Sequence, residues 1–179
     1  MELFEFSILT SLLLFAIGSL FASGRPTIYS LIRGFPRSSR LSVFLLALGL
    51  SWFIARHVMH LSEADFGEYR WYIGGIAIFI GVSSYVYVRD FLAVRALSIL
   101  VLFYSREVLD AAFLQEPVSR LFLVSVIYLL VVAALYFGAW PYKMRDFLDW
   151  LFDKSGRPAR FGWTMLGCAV VLLGLSFSY

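Results

Sequence analysis

Six apolar runs, at 3–22, 41–59, 71–88, 91–114, 121–140 and 161–177, follow one another with short polar gaps between them. A helix rising about 1.5 Å per residue needs roughly 20 such residues to cross a hydrocarbon core about 30 Å thick. That core offers backbone N–H and C=O groups no water, so each run must satisfy its own hydrogen bonds as a helix. A β-barrel would need segments of about ten residues with alternating polarity, and the chain has none. Only 15% of the 179 residues are charged, where a soluble domain has about a quarter. The expected fold is therefore all-α. It is a single transmembrane domain over 1–179, a bundle of six spans in three hairpins, with the lipid bilayer as its first partner.

The gaps set the orientation. Arg25, Arg33, Arg37, Arg40, Arg89, Arg95, Lys143, Arg145, Lys154, Arg157 and Arg160 lie in or beside the gaps after the first, third and fifth runs. On the other side lie Arg56, Arg70 and Arg120. Basic loops stay in the cytoplasm, which puts both termini on the non-cytoplasmic side of the cell (inner or plasma) membrane. The same distribution accounts for the net charge of +3 without a nucleic-acid partner. The first run opens with Glu2 and Glu5, where a secretory signal carries positive charge, so it is expected to be a retained helix. A single cysteine, Cys168, rules out an intrachain disulfide.

Between the fifth and sixth runs, Pro141 opens a different kind of segment. Met144, Phe147, Leu148, Leu151 and Phe152 recur at helical spacing, with Lys143, Arg145, Asp146, Asp149 and Asp153 on the other side. This predicts a cytoplasmic amphipathic helix over 141–155 lying on the membrane surface. The competing reading is a helix docked on neighbouring loops. The triplet Gly24-Arg25-Pro26 recurs as Gly156-Arg157-Pro158, which fits either an internal duplication or shared topology rules.

Two groups of residues have chemical potential. The first is Ser105, Arg106, Glu107 and Asp110 inside the fourth run, with Arg95 on the same helical face as Arg106 and Asp110. A charge at a helix centre costs about 2.5–3.5 kcal/mol, and some ten aliphatic or Phe residues at about −0.5 kcal/mol each do not offset three of them. This run should therefore face the bundle interior, where Arg106 pairs with one carboxylate and the other is left for a cation, a proton or a substrate. Two structural readings compete with that one. The span could end near Tyr104, leaving the charges in the outer interface, or the charges could form a satisfied pair. The second group is His57, His60 and Glu63, spaced by threes, a possible metal site that would need further ligands from elsewhere.

Gly74, Gly75, Gly81, Gly162, Gly167 and Gly174 lie within the runs, where small residues let helices approach closely. No phosphate-binding loop, nucleotide fingerprint, cysteine-rich metal motif or nucleophile elbow is present. The leading expectation is a structural or accessory membrane subunit with no catalytic activity and no cofactor, working as a homo-oligomer or with other membrane subunits. The alternative is a small transporter or proton or ion pathway around Arg106, Glu107 and Asp110. A second alternative is a metal-dependent membrane enzyme using His57, His60 and Glu63.

Overall fold

The computed structural model describes residues 3–61, 67–88, 90–116 and 118–178, and every regular element among them is helical. The α-helices are α1 (Leu3–Ala22), α2 (Pro26–Gly34), α3 (Ser39–Phe53), α4 (Arg70–Tyr87), α5 (Leu92–Ala112), α6 (Arg120–Ala139), α7 (Pro141–Asp153) and α8 (Arg157–Ser176). A 3₁₀ turn, Phe35–Arg37, leads into α3, whose other end continues as a π-helical turn, Ile54–Val58. Gly24, at φ +66°, makes the bend between α1 and α2, a conformation open to glycine at little cost.

Four helices are long and apolar enough to cross a membrane: Leu3–Ala22, Ser39–Val58, Arg120–Ala139 and Arg157–Ser176. The remaining two runs also fold as helices, but their composition is more polar. The 18 residues of α4 include Arg70, Trp71, Tyr72, Tyr85 and Tyr87. Arg95, Arg106, Glu107 and Asp110 all fall within α5.

The first and last helices form the tightest pair. Phe4 meets Phe177 at 6.2 Å between ring centroids, and Phe21 meets Phe161 at 5.2 Å, so α1 and α8 run antiparallel. Their backbones nearly touch: a Cβ on Gly162 would lie 2.5 Å from the Ala22 nitrogen and 2.6 Å from the Gly18 oxygen. Glycines at the contact let the two backbones approach this closely, so the pair is held by van der Waals packing.

Helix α5 is the central one. It packs on α3 and α6 and also touches α1 and α7, burying Leu92, Ala93, Val94, Ala96, Ser98, Leu100, Ser105, Val108 and Ala112. Tyr104 ties it to α1 through a 2.7 Å hydrogen bond with Thr10, whose own hydroxyl also lies 2.7 Å from the Phe6 carbonyl. Phe91 (φ 58°) and Leu114 (φ 56°), both left-handed, stand on either side of α5, a conformation with a steric cost for bulky residues. Helix α4 is peripheral. It buries Gly74 and Gly81, which lie against Val58 and Leu50, while Ile76, Phe79, Ile80 and Val82 stand exposed.

At one end of the bundle, α7 packs against α2. Tyr29 and Phe152 lie 4.8 Å apart, and Arg33 Nε is 3.9 Å from Asp149. Leu148 and Leu151 are only 3% and 2% exposed, and Met144, Phe147 and Phe152 are half-buried. The apolar stripe expected to lie on the membrane thus packs into protein. Its partners are the rings of Phe21, Phe137 and Phe161 and the Arg33 guanidinium. The basic gap and the ends of α1, α6 and α8 supply this partial cover.

Candidate functional site: a polar cluster at the far end of α3 and α5

The end of α3 opposite α7 loses α-helical register. Met59 N–H reaches back five residues to the Ile54 carbonyl at 2.9 Å, and the widened turn carries Arg56 and His57 towards α5. Single π turns of this kind are frequent at functional sites. The Arg56 guanidinium grips the Glu107 carboxylate with both edges, Nη2 to Oε2 at 2.5 Å and Nε to Oε1 at 3.3 Å. This two-pronged geometry is the strongest form of the pair.

Their sequence neighbours His57 and Arg106 also meet, with His57 Nε2 2.6 Å from Arg106 Nη1. Arginine has no acceptor, so it donates and Nε2 accepts. The proton of a neutral imidazole then sits on Nδ1, which is buried and has no partner. The ring packs against both Phe53, at 5.6 Å, and Phe103, at 5.4 Å, which themselves stack at 6.1 Å. Arg106 Nε also lies 3.7 Å from Asp110.

The two sequence candidates are thus partly one. His57, from the expected metal group, joins Arg106, Glu107 and Asp110, from the expected intramembrane group, and Arg56 completes the set. Arg56 carries no local signal beyond being a lone arginine at a span end. Only its i+5 turn brings it to Glu107, 51 residues along the chain.

Several expected members lie elsewhere. The expectation that the α5 charges face the bundle interior is corrected for Arg106 and Asp110, whose side chains are 62% and 74% exposed; Glu107, 21% exposed, turns in towards Arg56, and the enclosed face is Ser105, Val108 and Ala112. Helical geometry separates adjacent residues by about 100°, so Ser105 and Arg106 cannot share a surface. Ser105 is 1% exposed, and its hydroxyl has no partner. His60 turns back, with Nδ1 2.9 Å from the Ala55 carbonyl. Glu63 lies outside the described residues, among which no group of three or more His, Cys, Asp or Glu is placed to hold a metal.

Arg95 belongs to the opposite end of α5, about 16 Å from Arg106 at 1.5 Å per residue. There it lines an open cleft of about 600 Å³ with Tyr87, Asp90, Phe91, Pro141 and Tyr142. Chemically, the far-end cluster is a set of charges that neutralise one another. Glu107 is committed to Arg56, and Arg106 is shared between His57 and Asp110.

The chain matches no protein-family model, no curated protein and no solved structure.

Proposed function

We propose that this protein is a structural or accessory subunit of the cell's inner or plasma membrane, without catalytic activity. In this reading it crosses the bilayer six times with both termini on the non-cytoplasmic side. The observation that carries the functional part is the mutual pairing of Arg56 with Glu107 and of His57 with Arg106. A transport site keeps an ionisable group available to its cargo, and here Glu107 is paired with Arg56, while Arg106 and Asp110 pair with each other at the surface.

Exposed residues support α4 as a further span. Trp71 and Tyr72 stand at its start, Tyr85 and Tyr87 at its end, and Ile76, Phe79, Ile80 and Val82 between them. Aromatic residues at two boundaries with apolar residues between them match the cross-section of a bilayer. An exposed apolar face of this kind is stable in lipid and a liability in water. The packing of α5 on α3 and α6, with further contacts to α1 and α7, supports its crossing, with the exposed Arg106 and Asp110 at its outer end.

Reconstitution tests the functional reading. Proteoliposomes carrying the protein are expected to show no proton or cation flux above empty vesicles, and the same silence is expected for Glu107→Gln and Asp110→Asn. Flux in the wild type that either substitution abolishes would replace this reading with an ion pathway.

A further inference from the structure

We propose that the cleft beside Arg95 binds a phosphate ester, the phosphate of an anionic phospholipid or of a soluble compound of the same chemistry. Arg95 is half-buried at the α7 end of α5, and its guanidinium has no ion-pair or hydrogen-bond partner among the described residues. A partly desolvated cation without a partner is unfavourable unless something anionic joins it. Of the other arginines close to helix ends, Arg56 pairs with Glu107, Arg120 with the Ala112 carbonyl and Arg157 with the Trp150 carbonyl, while Arg25 and Arg40 are exposed to solvent. Arg95 instead opens onto about 600 Å³ of free volume, within the roughly 300–1,000 Å³ typical of ligand sites.

The lining suits a phosphate. Guanidinium presents a planar fork of donors that matches phosphate oxygens, and Tyr87 and Tyr142 add hydroxyl groups. The Arg37 guanidinium stands 5.8 Å from the centre of the Phe91 ring, which itself lines the cleft, so a second positive charge borders the site. Asp90 on the rim is exposed and forms no ion pair with Arg95. It is placed to accept from a hydroxyl or amine carried beside the phosphate. From the cleft, the exposed apolar residues of α4 (Val86, Val82, Phe79) run along the bundle, a surface for acyl chains. Basic pockets between helices at the cytoplasmic side are a general way of holding anionic headgroups. The lipid form of the proposal takes its membrane placement from the proposed function. The phosphate chemistry does not depend on it.

Native mass spectrometry of the purified full chain, titrated with phosphatidylglycerol, phosphatidylcholine or inorganic phosphate, tests the site. The wild type is expected to hold phosphatidylglycerol about tenfold more tightly than phosphatidylcholine, as befits one charge-assisted contact. Arg95→Gln is expected to remove that preference, Arg95→Lys to keep part of it, and Arg106→Gln, at the other end of the helix, to leave it intact. Inorganic phosphate that binds in an Arg95-dependent way while the two lipids bind alike would identify a soluble ester as the ligand. If Arg95→Gln does not fold, Arg95→Lys and Arg37→Gln, each expected to weaken the preference, decide the matter.

A wild type with neither lipid preference nor phosphate binding overturns the proposal, as does a preference that survives loss of the arginine. Impermeant labelling of a cysteine at position 110 separates this failure from failure of the membrane reading. A chain that labels from outside yet binds no phosphate loses only the site.

Discussion

The α1–α8 seam and the far end of the α3–α5 pair join helices by opposite means. In the seam, side chains are removed: Gly18 and Gly162 let two backbones approach until a single methyl group would collide, and Ser7, Ala169 and Ser176 are fully or almost fully buried. At the α3–α5 end, side chains are added. Four polar residues, Arg56, His57, Arg106 and Glu107, pair across the two helices in a partly exposed position, and Asp110 joins Arg106 from within α5. Close packing is intolerant of change because nothing can move aside, whereas long charged side chains adjust. The rigid part of the protein therefore lies where the sequence is chemically bland, and its most charged stretch is the more forgiving one.

Substitutions should rank accordingly. Gly162→Ala is expected to have the largest effect, because its methyl group would meet the backbone of α1. Overpacking of this kind costs about 1–3 kcal/mol, read as a lower midpoint of unfolding in mixed micelles. Gly167→Ala, where a Cβ meets nothing within 4 Å, is the control and should match or slightly exceed the wild type. If the two alanine variants behave alike, the seam is not the rigid element.

Thr10→Val comes next. It strips the Tyr104 hydroxyl of its partner between α1 and α5, a loss of about 1 kcal/mol by the same measurement. Arg56→Ala is expected to have a smaller effect that is local to the far end. The Glu107 carboxylate loses both contacts, and hydrogen exchange should quicken in the Ile54–Val58 turn and leave α1 and α8 unchanged. Asp110→Asn is expected to have the least effect, within about 0.5 kcal/mol of wild type, because an exposed i,i+4 pair contributes little.

The contrast also explains which features could be read from the chain. Helix positions follow from long apolar runs: the runs at 3–22 and 121–140 correspond to Leu3–Ala22 and Arg120–Ala139, since length and polarity alone decide them. Partnership between helices leaves no such trace. Gly18 and Gly162 lie 144 residues apart on runs that look alike, and no spacing within either run announces the other. The charges of α5 were conspicuous, but which way they point depends on the helix's neighbours, and Ser105, Val108 and Ala112 claimed the interior. Regular helical spacing groups His57 with His60, since residues three apart share a face. The π turn breaks that spacing and sends the two rings to different partners. For α7 the periodic stripe is legible in the sequence, but its covering by protein, supplied in part by the basic gap after α1, is not.

In the proposed topology the polar cluster lies at the outer boundary, with the basic gaps on the other side. Impermeant maleimide labelling of single cysteines at positions 110 and 37, in sealed cells and with Cys168 replaced by alanine, tests this most directly. The account predicts that position 110 reacts before permeabilisation and position 37 only after it. A cysteine at 110 that stays protected while 37 reacts from outside would contradict it.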